Sequence, residues 1–409
     1  MKVLRMWLLW LVFFWGNVGE AVPIVYLTWI HDPSTTMVVQ WHSSKDKDAS
    51  EVLFREVGET EWQRAHGFYV RLPKTSVLVH TVELGGLRPG GEYEFQVEDE
   101  VCRFRTLPLT LERPVRFVMG GDAYLYEKLF RKMNRQIAAQ DPDFVVVGGD
   151  IAYTHGKPGL LRGKSWQLNR WQTFLKEWKK MVTSDGRLIP LLAVLGNHDV
   201  RSGDLNPFSY RTLFYELFAL PEKGRPFRTL DCGNYLSLFL LDTGHSYHIE
   251  GTQTEWLKRV LAERENKPYK MAAYHIGAYP SVYPFDGDVP REIRSLWCPL
   301  FERYHLTAAF EHHNHAYKRT VRIKDNALDP QGVLYMGDGS WGVSPRKVKN
   351  RGEWFLERAE KVNAVCLITL DRAHGAIEAL SNQGVIIDEV MVLPGTAQVA
   401  VNERRWLLQ

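Results

Sequence analysis

Two patterns of apolar and polar positions divide this chain. Over residues 22–106, short alternating runs such as Met37-Val38-Val39-Gln40-Trp41 and Tyr93-Glu94-Phe95-Gln96-Val97 are separated by turn-rich pieces. A period of two with frequent breaks predicts the strands of a β-sandwich. Past Pro108 and the Glu112-Arg113-Pro114 linker the pattern changes. Continuous apolar runs at 115–119, 144–147, 188–195, 235–241, 269–274, 306–310 and 333–336 predict strands buried on both faces. Amphipathic spacing predicts helices over 127–140, 167–182 and 252–265, and the tail from 363 to 393 reads as antiparallel strands turning near Asn382-Gln383-Gly384. The expected organisation is a β-sandwich over residues 22–108 followed by an α/β domain over 113–395.

Residues 1–21 stand outside this pattern. Lys2 and Arg5 precede an unbroken apolar run over 6–15, and Gly19 and Ala21 occupy the small-residue positions of a cleavage site. That predicts a signal peptide, a mature chain starting at Val22, and a secreted or periplasmic destination. Ten apolar residues are too few to span a bilayer, which takes about 20. No second run of spanning length follows. Export makes Cys102, Cys232, Cys298 and Cys366 candidates for disulfides in any of three connectivities, with buried free thiols as the other reading. No C-x-x-C spacing occurs, which excludes a zinc ribbon. With 51 Lys and Arg against 48 Asp and Glu, the net charge is +3 and no nucleic-acid footprint is visible.

The candidate chemistry lies at strand ends. Five apolar runs finish in Gly120-Gly121-Asp122, Gly148-Gly149-Asp150-Ile151-Ala152-Tyr153, Gly196-Asn197-His198-Asp199, Ala272-Ala273-Tyr274-His275 and His312-His313-Asn314-His315. Side chains gathered beyond the carboxyl ends of strands are how open α/β sheets build sites. His313 and His315, two apart, project to one side of an extended chain and are spaced to serve neighbouring ions about 3.5–4 Å apart. Asp150 has two oxygens and is the best candidate to bridge two ions. Asn197 offers a neutral amide oxygen suited to an exchangeable divalent cation.

At these residues the chain resembles the purple acid phosphatases, within the dinuclear metallophosphoesterases. Their pattern is G-D-x-G, G-D-x-x-Y, G-N-H-D/E, V-x-x-H and G-H-x-H. The amino-terminal module resembles fibronectin type III domains: Leu87-Arg88-Pro89-Gly90-Gly91-Glu92-Tyr93 has the L-x-P-G-x-x-Y spacing of their tyrosine corner, and Trp41 is a candidate core anchor. The resemblance implies a fibronectin III-like β-sandwich ahead of an α/β metallophosphoesterase domain made of two mixed sheets sandwiched by helices. It also implies that Asp122, Tyr153 and His315 bind Fe(III), that Asn197, His275 and His313 hold a divalent ion (zinc, iron or manganese), and that Asp150 bridges. Hard anionic donors suit the trivalent ion, and amide and imidazoles the divalent one. The implied reaction is hydrolysis of a small-molecule phosphate monoester by metal-bound hydroxide, with no phosphoenzyme. Phosphodiester or nucleotide hydrolysis on the same core is the rival reaction, and an inactive secreted binding protein is the rival of a different class.

Four departures from the pattern bear on the site. Tyr124 replaces the glycine of the first motif and either leans away from the site or crowds it; Ala272 replaces a valine. His312 replaces the last glycine, as a base that either backs the ligands or faces the substrate, or as an outward strand residue. Tyr283-Pro284-Phe285 stands where plant-like members carry a histidine pair, which leaves His198 as the expected phosphate contact or catalytic acid. His155, Tyr279 and Tyr283 are expected along the pocket. The basic stretch from Arg346 to Arg351 either flanks an anionic substrate or is a solvated loop, and Gly337-Asp338-Gly339 is expected to be a turn near the site.

Overall fold

A computed structural model describes residues 24–44, 50–155, 164–200, 213–337 and 339–395. The expected signal peptide lies outside the described residues. Among them, no helix is long and apolar enough to cross a membrane.

The first module has seven antiparallel strands, Ile24–Thr28, Met37–Ser43, Ser50–Glu56, Gln63–Arg71, Leu78–Leu84, Glu92–Val97 and Glu100–Arg105. The fourth strand changes partner midway. Residues 63–67 pair with the third strand and residues 68–71 with the fifth, joining the two halves of the sandwich. Gly67 marks the crossing, since a Cβ there would lie 2.0 Å from the Thr81 carbonyl oxygen. Alternate residues turn inward, so Val39, Trp41, Phe54, Val82, Phe95 and Phe104 share one core. The tyrosine corner is formed: the Tyr93 hydroxyl accepts a 2.7 Å hydrogen bond from the Arg88 amide.

The second module is built from two mixed sheets. In the first, the parallel strands Leu191–Val194, Phe144–Gly148 and Val115–Gly120 continue into the antiparallel Ala364–Leu370, Gly375–Ser381 and Ile386–Val392. In the second, Leu236–Leu240, Tyr269–Ile276, Ala308–His312 and Leu334–Gly337 are parallel, and antiparallel strands flank them. Period two sorts each strand between two cores. Phe117, Met119, Phe144 and Val146 meet Leu238, Met271, Phe310 and Met336 between the sheets. Val118, Val145 and Val147 face the helices Glu127–Ala138 and Lys164–Lys179. Phe239, Ala272, Tyr274 and Tyr335 face Thr252–Ala262, Asp288–Leu296 and Cys298–Arg303. Both faces of these strands are covered, so they read in the sequence as unbroken apolar runs.

The strands Arg228–Cys232, Tyr317–Thr320 and Leu356–Glu360 were not predicted. Their charged residues break the period and are accommodated by pairing, as Arg319 is with Asp388 at 2.7 Å. The four cysteines are free thiols, three of them buried, so the disulfide reading is not realised.

Candidate metal centre

The parallel strands of both sheets deliver the predicted residues to one seam. Backbone pairing runs past the strand ends: the amides of Asp122, Ala123 and Tyr124 donate to the carbonyls of Gly149, Asp150 and Ile151 at 2.9–3.0 Å. The loops then turn sharply. Asp122, Asp150, Tyr153, His313 and His315 all have φ between 51° and 75°. For Tyr and His this left-handed backbone is uncommon, and strain of that kind, about 1–3 kcal/mol per residue, gathers where surroundings over-determine a functional geometry.

Two groups of donor atoms result. In one, the Tyr153 hydroxyl is 2.8 Å from Asp122 Oδ1 and 3.2 Å from His315 Nε2, and His315 Nε2 is 2.9 Å from Asp122 Oδ1. In the other, His275 Nε2 is 3.0 Å from Asn197 Oδ1, 3.2 Å from His313 Nδ1 and 3.4 Å from Asp150 Oδ1. Atoms bound to one cation at about 2.0–2.2 Å stand about 3 Å apart, so both groups have the spacing of a coordination shell. The groups adjoin, because the His313 amide donates to Asp122 Oδ2 at 2.8 Å while its ring belongs to the second group. Asp150, His275 and His313 form a cluster able to hold a metal ion.

The surroundings fit cations. Asp150 is 1% exposed, and its Oδ2 has no hydrogen-bond partner among the described residues. A buried carboxylate oxygen left that way is costly unless a cation meets it. Burial alone would raise the Asp122 and Asp150 carboxyls. The neighbouring histidines outweigh it, His315 chiefly for Asp122 and His275 for Asp150, and hold both below the usual carboxylate range. Conversely, burial would lower His275, yet Asp150 and Asp122 bring it up to about 9. The His275 Nδ1 donates to the Gly148 carbonyl at 3.0 Å, which leaves Nε2 as the nitrogen facing the other donors, the usual orientation of a ligating imidazole.

His198 sits at the mouth of the centre. Its side chain is 30% exposed, its ring stacks on that of Tyr153 at 4.9 Å, and its Nε2 lies 3.9 Å from Asp150 Oδ2. Nδ1 donates to the His155 carbonyl at 2.7 Å, and the His198 amide donates to Asp150 Oδ1 at 2.7 Å.

His312 does not reach the mouth. It is 1% exposed and lies over Gly148, where an added Cβ would be 1.9 Å from the ring. Burial pushes its imidazole down to about 3, and neither ring nitrogen has a partner among the described residues. It therefore packs behind the candidate ligands, facing neither substrate nor solvent. Tyr124 leans away, its hydroxyl donating to Glu127 at 3.2 Å under the Arg170 guanidinium. Tyr279 is 1% exposed within the outer core and does not line the mouth. Tyr283 does reach the site and stacks on the His313 ring at 4.8 Å. His155 contributes its carbonyl to His198. Gly339 lies against Asp122, whereas Asp338 is outside the described residues.

Two further residues went unassigned in the sequence. Asp199 is buried and accepts the amides of Ile151 at 2.9 Å and Gly196 at 3.0 Å, tying two of the loops together; burial and Asp150 push its carboxyl up to about 8. It closes the third motif, and that position was its only signal. His245 meets the His275 ring edge-on at 5.5 Å, with its Nε2 3.0 Å from Thr243 Oγ1. Nothing local in the sequence marks it.

Two layered mixed sheets, with acidic and imidazole donors at the carboxyl ends of parallel strands, define the calcineurin-like phosphoesterase class, and the model of that family matches residues 118–317. The model of the purple acid phosphatase N-terminal domain matches residues 22–106. Purple acid phosphatase 23 of Arabidopsis thaliana is 26% identical over 345 residues, 75% of this chain and 72% of the relative. Purple acid phosphatase 15 of the same plant is 25% identical over 70% of this chain and 56% of its own length, so this chain spans little more than half of that relative. Among solved structures, purple acid phosphatase PPD1 from yellow lupin seeds shares the fold with a TM-score of 0.76 at 17% identity, covering 92% of this chain and 75% of that one. The structure of PhoD has a TM-score of 0.62 at 12% identity, covering 90% and 88%. The chain belongs to the purple acid phosphatase family of dinuclear metallophosphoesterases.

Proposed function

We propose that this protein is an exported acid phosphatase that hydrolyses phosphate monoesters at an Fe(III)–M(II) pair. Asp122, Tyr153 and His315 would hold the ferric ion, Asn197, His275 and His313 the divalent one (zinc, iron or manganese), and Asp150 would bridge. The observation that carries the reading is the pair of adjoining donor groups beside Asp150 Oδ2, which has no hydrogen-bond partner among the described residues. When bound, the two ions supply the Lewis acidity that activates water and neutralises a phosphate dianion.

The chain's own residues supply position and protons. The His155 carbonyl fixes His198 Nδ1 as a donor, so Nε2 is the nitrogen left to face the substrate. As imidazolium it donates to the ester oxygen and passes its proton to the departing alcohol. Asp199 holds the loops that carry Asp150 and Asn197 in one register. An exported destination rests on the charged, apolar and small-residue order of residues 1–21.

Metal analysis, the visible spectrum and a panel of esters test this together. Two ions per chain, a tyrosinate-to-iron charge-transfer band that Tyr153→Phe removes, and phosphate release from phenyl phosphate ahead of bis-esters and nucleotides are expected. A colourless protein loaded with zinc or manganese alone would overturn the ferric assignment. Preference for diesters would overturn the monoesterase.

A further inference from the structure

Among the described residues, one arginine reaches the candidate centre with no carboxylate paired to it. The Arg346 amide donates to the His315 carbonyl at 2.7 Å. Its Nη1 donates to the Tyr283 hydroxyl at 2.6 Å and to the His313 carbonyl at 3.3 Å. The guanidinium also lies 5.3 Å from the centre of the Tyr283 ring, which stacks on His313. These side-chain partners are neutral oxygens and a ring, whereas Arg264 and Arg319 in the same domain each take an aspartate, at 2.9 and 2.7 Å. A fork of N–H donors with its charge uncompensated is suited to bidentate contact with a phosphate.

The following loop extends this charge outward. The amides of Lys349 and Asn350 donate to the Ser281 carbonyl, and Asn350 Nδ2 donates to the carbonyls of Pro280 and Tyr283 at 2.8 and 2.7 Å. So held, the loop presents Lys347, Lys349 and Arg351, all exposed. The basic stretch is thus anchored beside the site through Arg346, while its other three charges stand in solvent.

We propose that Arg346, oriented by Tyr283, binds a second anionic group on the substrate, and that the protein prefers phosphate esters whose alcohol part carries a further phosphate. This rests on the hydrolase reading above. Arg346 bonds the backbone of His313, while the ring atom Nδ1 turns to His275. The arginine is therefore set back from the donor atoms by His313 itself. An anionic group that it meets would therefore be one other than a phosphate held at the donor atoms. Lys347, Lys349 and Arg351 add a screened attraction for the same polyanion.

Fructose 1-phosphate and fructose 1,6-bisphosphate differ only by the second phosphate and make the test. On the metal-loaded full chain, kcat/KM for the bisphosphate is expected to exceed that for the monophosphate by about tenfold or more, the scale of one charge-assisted contact. Arg346→Ala should bring the ratio close to one. Arg346→Gln, which keeps a donor for the His313 carbonyl but no charge, should do the same, and Arg346→Lys should retain part of the preference. A wild-type ratio near one, or variants that slow both esters equally, overturns the proposal. Failure of the hydrolase reading would show instead as no phosphate release from either ester. Calorimetric binding of the bisphosphate then decides: a tenfold weakening in Arg346→Gln supports the proposal and unchanged binding refutes it.

Discussion

Asp150 is the residue proposed to join the two donor groups. One of its oxygens accepts the His198 amide at 2.7 Å and lies 3.4 Å from His275 Nε2; the other is buried without a hydrogen-bond partner among the described residues. Replacing it with asparagine keeps the size and the accepted amide bond but removes the charge that lifts His275. Losing a partner behind a metal ligand costs about 10–100-fold, so loss of a bridging ligand should cost more. Asp150→Asn is expected to lower kcat at least about 100-fold and to leave the chain with fewer than two ions by elemental analysis. Full turnover with two ions retained would refute the bridging role. The donors themselves were legible, because their types and spacing recur at five strand ends. What residue type does not encode is conformation. No rule of composition reveals that Asp122, Asp150, Tyr153, His313 and His315 all take left-handed backbone, or that His312 turns inward over Gly148. The inward turn is set by Gly121 and Gly148, which leave the ring its space.

Between the strands Ala308–His312 and Tyr317–Thr320 lies a different kind of support. Glu311 and Lys318 are both fully buried and form an ion pair with each other. Glu311 also accepts the Tyr274 hydroxyl and the Ala278 amide, each at 2.7 Å, and Lys318 donates to the Tyr279 carbonyl. The pair thereby fixes the chain on both sides of His313 and His315 and the turn that follows His275. Breaking a buried pair from one side strands the other charge, at about 3–5 kcal/mol, whereas replacing both members with apolar groups is often neutral. Glu311→Gln should accordingly lower the urea midpoint sharply, and Glu311→Leu combined with Lys318→Met should recover most of the loss. A single substitution within about 0.5 kcal/mol of wild type would show that the pair supports nothing. It also explains a gap in the sequence reading. Central parallel strands announce themselves as apolar runs, but Tyr317–Thr320 carries Lys318 and Arg319, whose partners are Glu311 on the strand before the His313–His315 turn and Asp388 on the last strand. Pairing of that kind becomes visible only after the chain has folded.

On the scale of the whole molecule, the sandwich is not a hinged spacer. One apolar cluster runs without a break from Val25, Trp29 and Leu107 in the first module to Phe117, Phe144 and Leu238 in the second, with Trp29 edge-on to Phe144 at 5.8 Å. Polar contacts cross the same boundary. The Arg228 guanidinium, in a fully buried setting, donates to the Trp29 carbonyl at 2.8 Å. The Tyr26 hydroxyl donates to the Leu217 carbonyl at 2.5 Å, Gln40 Oε1 accepts the Ala219 amide at 3.1 Å, and the Leu188 amide donates to the Arg103 carbonyl at 2.9 Å. Domains joined by a flexible linker unfold independently, whereas a shared core couples them. Calorimetry of the full chain is therefore expected to show one cooperative transition. Removing the sandwich would expose the Trp29-facing side of Phe144 and take the Trp29 carbonyl from Arg228, leaving it the longer bond to the Ala219 carbonyl at 3.4 Å, so residues 113–395 alone should be poorly soluble or melt well below the intact chain. Two resolved transitions, together with an isolated second module that matches the intact melting temperature, would show that the common core couples nothing. If the coupling holds, a substitution at Trp29 will disturb the strand Phe144–Gly148, and through it the loop carrying Asp150, from outside the module that holds the site.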